Sequence, residues 1–204
     1  MKKALIGHGG HAKEVMSIME QQMVCFIDDD YYFNHVDKED SSSWIRPLST
    51  LDPTEFCVMV CIGDSATRKA VVSRLPKGIH YFSFIHPSSV INPSDQPIGE
   101  GIFIGPFCSM IATKRLGSHS ILVRACHIGH DCEIGDYFSM MPGSILSGNV
   151  CVGDCVYLGA QSCVKENVSI THHVMVGMGT VVIRDIEHPG MYVNTHNGAL
   201  RKLE

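Results

Sequence analysis

From Ile98 to Val182 every sixth residue is aliphatic or methionine: Ile98, Ile104, Met110, Leu116, Leu122, Ile128, Ile134, Met140, Leu146, Val152, Leu158, Val164, Ile170, Val176 and Val182. If about half of residues are apolar, an unbroken run of fifteen arises by chance about once in thirty thousand. Glycine often follows, at 99, 105, 117, 129, 135, 153, 159 and 177, and the fifth position of each hexad is usually small or apolar. Six is neither a helical nor a simple strand period. It is the repeat of a parallel β-helix, in which each hexad forms one short face and a turn.

The first 80 or so residues follow a different pattern, alternating strand and helix. KKALIG reads as a strand, and HAKEVMSIMEQQ carries Ala12, Val15, Met16 and Met19 at helical spacing. MVCFID is a second strand that ends at Asp28-Asp29-Asp30, and the polar YYFNHVDKEDSSSW is expected to be a loop or short ribbon. FCVMVCIG is an uninterrupted apolar run, as in a buried parallel strand. Asp64-Ser65 then caps a helix over ATRKAVVSRL, and YFSFI is one more strand.

Composition narrows the classes. At 204 residues and 45% hydrophobic, the chain can bury a sizeable core as one large domain or two small ones. A net charge of −5, with no polybasic run, argues against a nucleic-acid binder. MKKALIG runs into glycines and histidine without the apolar core of a signal peptide, and no apolar run approaches a membrane span. The expectation is therefore a cytoplasmic protein whose nine cysteines are reduced thiols.

The loop Gly7-His8-Gly9-Gly10-His11-Ala12 reads G-x-G-x-x-A after a strand, with acids about twenty residues on. That is a dinucleotide-binding fingerprint. A complete dinucleotide fold needs two mononucleotide halves, and the chain before the hexads is long enough for one. The loop is thus expected to cradle a single nucleotide rather than NAD, its glycines admitting phosphate to a helix N-terminus. An ordinary strand-to-helix turn is the alternative.

Taken together, IGHGGHAKE, FIDDD, CIGDSATR, IHPSSVI and IGHD within hexads resemble the sialic acid O-acetyltransferase and bacillosamine-type sugar acetyltransferase family. The resemblance runs essentially end to end and implies an α/β N-terminal half-Rossmann (βαβαβ) domain over 1–84, then a left-handed parallel β-helix of hexapeptide repeats over 85–204. It implies a homotrimer that moves acetyl from acetyl-CoA to a nucleotide-linked 4-amino-4-deoxy sugar, with no metal. By matching motif, the nucleotide-sugar contacts would be Gly9, Gly10, His11, Asp28, Asp29, Gly63 and Ala66. O-acetylation of a sugar such as sialic acid, or a noncatalytic β-helix trimer, are the alternatives.

The family's coil takes three hexads, so residues eighteen apart stack about 4.8 Å from one another. His130, in CHIGHDCEIGD, holds the third, outward position of its hexad, and Asp131 follows it. A carboxylate fixes an imidazole's tautomer and raises its basicity, and the pair matches the family's His-acid general base. One coil on lies Gly148, whose bare N–H is a candidate oxyanion donor; a plain turn glycine is the alternative. Gly159-Ala160 and Gly177-Met178 stack eighteen apart, and the resemblance places acetyl-CoA against Ala160 and Met178. Arg201 and Lys202 are candidates for the CoA phosphates, or an exposed terminal charge pair.

Two departures stand out. Family members often carry a second histidine nine residues after the base, touching acetyl-CoA, where this chain has Ser139. The usual C-terminal G-x-P-A turn is replaced by VNTHNGALRK. The cysteine pairs and His172-His173 invite a zinc reading, but Cys108, Cys126, Ser144 and Ser162 fall on one eighteen-residue ladder of small residues, which favours packing. Trp44 has no assigned role.

Overall fold

The computed structural model describes residues 1–36, 44–91 and 97–203. Its first part is β1 (Lys2–Ile6), α1 (Gly10–Ile18), β2 (Val24–Ile27), α2 (Asp29–His35), β3 (Ile45–Pro47), β4 (Phe56–Val60), α3 (Ser65–Val72) and β5 (His80–Tyr81). The strands form one parallel sheet in the order β3-β2-β1-β4-β5. The half-Rossmann unit from β1 to β3 is thus extended beyond β1 by β4, α3 and β5. The chain reverses direction across the sheet between β1 and β4, the crevice where such folds bind ligands.

Two local expectations need correction. DDYYFNH is helical, because the Asp28 side chain accepts hydrogen bonds from Asp30 N (3.1 Å) and Tyr31 N (3.4 Å) as an N-cap. Asp29 and Asp30 then sit in the first turn, where the helix dipole favours acids. No residue of α2 is buried, so there was no apolar stripe to signal it. Residues 37–43 of that predicted loop lie outside the described residues. YFSFI is likewise not one strand: Tyr81 ends the α/β sheet, and Phe84–Ile85 begins the β-helix.

The second part is the left-handed β-helix, with strand partners offset by eighteen residues between Phe103 and Val182, such as His127 with Ile145 and Glu133 with Cys151, and by nineteen and sixteen at its first and last coils. Three faces result. Eight strands, from Phe84–Ile85 to Leu200–Lys202, make the face on which the α/β domain sits, hereafter the covered face. Six, from Val90–Ile91 to Val181–Val182, make the second; four, from Arg115–Leu116 to Ser169–Ile170, make the third. The hexad positions point inward, and from Ile104 onward all are at most 5% exposed. Cys108, Cys126, Ser144, Ser162 and Thr180 form the small-residue ladder inside, also buried. All nine cysteines are free.

At nearly every corner the fourth hexad residue is left-handed, including Asp131 (φ 60°), Asn149 (56°) and Asn167 (62°). That conformation costs a non-glycine residue roughly 1–2 kcal/mol. Here it is offset because each such amide donates to the preceding coil: Asp131 N to Ala112 O, Asn149 N to His130 O and Asn167 N to Gly148 O, at 2.7–3.2 Å.

Arg68 of α3 locks the two parts together. It is fully buried, and it donates to the carbonyls of Ile62 and Gly63 in its own domain and to those of His119, Tyr137 and Phe138 in the β-helix. Its Nη2 also reaches Ser139 Oγ at 2.9 Å. Beside it, α1 packs Ala12 and Val15 into a cluster with Phe103, Ile121 and Val123 of the β-helix. No helix among the described residues is long and apolar enough to cross a membrane.

This seam is expected to make the protein acid-sensitive. His119 is 5% exposed, wedged between the rings of Tyr81 (4.6 Å) and Tyr137 (5.2 Å), and its Nδ1 has no partner. Burial, and secondarily the Arg68 charge, push its pKa down to about 4. The folded state holds it neutral while the unfolded chain takes a proton below about 6.5, so stability is lost as pH falls from about 6.5 toward 4. The full loss is on the order of 3 kcal/mol. Urea midpoints at pH 7 and pH 5 should differ less in His119→Gln than in the parent; equal differences would exclude His119 as the cause.

Candidate active site

Two regions hold the expected chemistry. The first is a cleft of about 400 Å³ at the sheet's switch point, lined by Gly7, Gly9, Asp28, Ile62, Thr67 and Arg74 among others. Gly7 is in the left-handed region (φ 106°), and an added Cβ there would lie 3.2 Å from Cys61 O, so the turn itself requires glycine. Gly9 and Gly10 differ, since a Cβ on either would meet nothing within 4 Å. The fold does not need them bare, whereas a phosphate approaching the N-terminus of α1 would.

Of the seven predicted nucleotide-sugar contacts, Gly9 and Asp28 line this cleft, and Asp29 lines an adjoining hollow with Ser49 and Arg74. Asp28 also caps α2, and its Oδ2 lies 3.9 Å from Arg74 Nη1. Asp29 accepts from Ser49 N at 3.0 Å, which holds its carboxyl below the usual range. His11 turns elsewhere: its ring packs edge-on against Phe103 (5.4 Å), and Nδ1 lies 3.7 Å from Glu14 Oε2. Gly63 gives its carbonyl to Arg68 and Ser139, and Ala66 is exposed on the first turn of α3. Sequence reasoning missed Tyr31, Thr67 and Arg74 of the cleft. The spacing of Thr67, Val71 and Arg74 at i, i+4 and i+7 was the available signal for a single helix face.

The second region is the corner between the six-stranded and four-stranded faces. His130 Nδ1 lies 2.8 Å from Asp131 Oδ2, the left-handed turn at Asp131 having folded the carboxylate back. This hydrogen bond holds the Asp131 pKa below its ordinary value, so the carboxylate is ionised at neutral pH. An anionic partner fixes the proton on Nδ1 and leaves Nε2 as the free base. The imidazole is 68% exposed and stands over Gly148, where any Cβ would come 2.5 Å from Nε2. The Gly148 N–H has no acceptor among the described residues. The corner thus offers an oriented base beside a free amide donor.

The structure does not bring the other expected acetyl-CoA contacts to this corner of the same chain. Ala160 and Met178 stack at the corner between the covered and six-stranded faces, with Met178 78% exposed. Ser139 is a correction: it is fully buried beneath α3, its hydroxyl bonded to Gly63 O (2.9 Å), Ser65 Oγ (3.1 Å) and Arg68. It braces the domain seam and presents nothing to a ligand. Arg201 and Lys202 are exposed on the terminal antiparallel hairpin. A wider hollow, about 520 Å³ on the four-stranded face, contains none of the predicted site residues. Among the described residues, no cluster of three or more His, Cys, Asp or Glu is arranged to hold a metal.

Residues 2–75 match the PglD N-terminal domain family. A GDP-perosamine N-acetyltransferase of Escherichia coli O157:H7 is 26% identical over 184 residues, covering 86% of this chain and 82% of that protein. An acyl-[acyl-carrier-protein]–UDP-N-acetylglucosamine O-acyltransferase of Thiobacillus denitrificans is 34% identical over 101 residues, 46% of this chain and 39% of its own length. Among solved structures, a mutant perosamine N-acetyltransferase from Caulobacter crescentus, in complex with CoA and GDP-perosamine, shares the fold. Its TM-score is 0.80 at 23% identity, covering 95% of this chain and 94% of that one. The acetyltransferase domain of PglB from Neisseria gonorrhoeae FA1090 has a TM-score of 0.82 at 22% identity, covering 99% of each chain. The chain thus joins an N-terminal segment that matches the PglD N-terminal domain to an unbroken hexad coil, and as a whole it shares the fold of these solved acetyltransferases.

Proposed function

We propose that the protein is an acetyl-CoA-dependent N-acetyltransferase acting on the amine of a nucleotide-linked 4-amino-4-deoxy sugar, as a cytoplasmic homotrimer. The observation that carries this reading is the His130 imidazole, oriented by Asp131 at 2.8 Å and standing over a glycine with a free amide. The switch-point cleft supports a nucleotide-bearing acceptor, and free cysteines fit a reducing compartment. The full-length relative acts in its own case on GDP-perosamine.

The chemistry follows from the corner. His130 Nε2 takes the proton of the sugar amine as its nitrogen forms a bond to the thioester carbon. The Gly148 N–H faces the oxygen on which charge builds; one such donor is worth about a hundredfold or more. The protonated imidazole then returns its proton to the departing sulfur as the C–S bond breaks. A thioester is already activated, so no acyl-enzyme is required.

Gly148→Ala tests this arrangement with little disturbance elsewhere, because the backbone at 148 is not left-handed and the new methyl meets His130 first. Turnover should fall about tenfold to a hundredfold with the melting temperature nearly unchanged. Unchanged turnover would remove Gly148 from the site. The function itself is tested by thiol release from acetyl-CoA with a panel of UDP-, dTDP- and GDP-linked amino sugars and free sialic acid. Release with an amino sugar is expected. Release with sialic acid alone would replace N- by O-acetylation, and none with any acceptor would favour a noncatalytic trimer.

A further inference from the structure

A helix that buries nothing has no core to serve, yet α2 carries three aromatic residues in a row, Tyr31, Tyr32 and Phe33. Tyr31 is 57% exposed and Phe33 61%. Tyr31 lines the switch-point cleft, whereas Tyr32 and Phe33 do not. Asp28 explains the placement: it lines the cleft and caps α2, so the first turn of the helix, with Tyr31 on it, starts at the cleft rim.

The Tyr31 ring is also held in place. The imidazole of His35, one turn on, lies nearly parallel to it, with 4.6 Å between centroids and 16° between planes. His35 Nδ1 is 3.3 Å from Tyr31 O, and a carbonyl only accepts, so Nδ1 carries the proton and donates. The stack and this bond together pin the imidazole on one face of the phenol ring. The exposure of Tyr31 therefore belongs to its other face and its rim, which meet no second ring among the described residues.

The cleft lining sorts by chemistry. Gly7 and Gly9 precede the N-terminus of α1, where phosphate is favoured. Phe26, Ile27, Leu48, Ile62 and Val71 are apolar, and a sugar hydroxyl or a phosphate would be desolvated against them without a partner. A flat aromatic base suits them. The charged side chains of the lining, Asp28 and Arg74, are 3.9 Å apart and more than half exposed, at the rim.

From these observations we infer that Tyr31 is the stacking platform for the nucleobase of the nucleotide-linked substrate, with His35 behind it as a positioning residue. This role presupposes the nucleotide-bearing acceptor proposed above and adds the side chain that grips its base. Strands β1 and β2 are neighbours, with Gly7 N donating to Phe26 O at 2.8 Å. The glycine loop that follows β1 and the helix that follows β2 thus lie within the span of one nucleotide. Stacking tolerates different bases, since every base has a π-face.

Calorimetric titration with GDP, UDP and dTDP should show binding of at least one to the parent, and the tightest is carried into the variants. Tyr31→Ala should weaken it about fivefold to a hundredfold, the range of one base–aromatic stack, and Tyr31→Phe, which keeps the ring, should restore it. Phe33→Ala, on the same helix but off the cleft, should bind as the parent does. His35→Ala should weaken binding about twofold to tenfold, the effect of leaving one side chain to be immobilised by the ligand. Since α2 buries nothing, all four variants should fold. In steady-state kinetics Tyr31→Ala should raise KM for the nucleotide sugar and leave kcat and the KM for acetyl-CoA unchanged. In NMR spectra the base protons of the bound nucleotide should shift upfield, through the ring current, with the parent and Tyr31→Phe but not with Tyr31→Ala. Undiminished binding in Tyr31→Ala, or an equal loss in Phe33→Ala, would overturn the stacking role and leave the nucleotide reading standing. Undiminished binding in His35→Ala would strike its positioning role. A parent that binds none of the three nucleotides would overturn both the stacking role and the nucleotide reading.

Discussion

Replacing His130 with alanine is expected to lower kcat for acetyl transfer by about three orders of magnitude, within the ~10²–10⁴ range of a positioned general base. The side chain is 68% exposed and makes its one described hydrogen bond to Asp131, so removing it should leave the fold intact. CoA binding should persist, since Ala160 and Met178 belong to another corner. Asp131→Asn separates orientation from basicity. It keeps a hydrogen-bonding group beside Nδ1 but removes the charge that selects the tautomer, so kcat should fall while the coil, already closed by Asp131 N on Ala112 O, stays formed. The check is steady-state kinetics with circular dichroism on the same samples. Retained turnover in His130→Ala would discard the base assignment.

The second large effect is on stability. Arg68→Met should lower the unfolding free energy by at least about 3 kcal/mol, because a buried arginine has been removed from six acceptors that its replacement cannot satisfy. For a chain of this length that corresponds to roughly 6–12 °C in melting temperature. Burial pulls the Arg68 pKa down to about 10, so it remains charged at neutral pH, held by the carbonyls it donates to and by the nearby Asp64 charge. The Ile62 and Gly63 carbonyls belong to the loop that borders the switch-point cleft, the proposed nucleotide site. The substitution should therefore also weaken nucleotide binding more than CoA binding. Calorimetry and titration of each ligand check the two parts; an unshifted melting temperature would mean the seam is held by apolar packing alone.

The β-helix was legible because its period is dictated by geometry. Every hexad aliphatic has to point into a triangular core, so one missed position would leave a void or a buried polar group. The α/β strands were legible for a similar reason, as apolar runs covered on both sides. The missed α2 shows the limit: DDYYFNH buries nothing and is set by one capping aspartate, a signal of single-residue size. Ser139 shows another. Its hexad position is outward, and the hexad pattern cannot tell that α3 covers that stretch of the face. Arg68 was invisible for the opposite reason, since an arginine within ATRKAVVSRL reads as solvated until the carbonyls converging on it are known. The His130–Gly148 contact was readable by counting eighteen, whereas the separation of Ala160 and Met178 from it required knowing which corner each hexad turns.

The most direct measurement is a crystal structure with acetyl-CoA bound. The His130 Nε2 should lie within about 4 Å of the sulfur or thioester carbon, with the carbonyl oxygen facing the Gly148 amide. A thioester seated away from that corner, beyond the reach of any subunit's imidazole, would contradict the account.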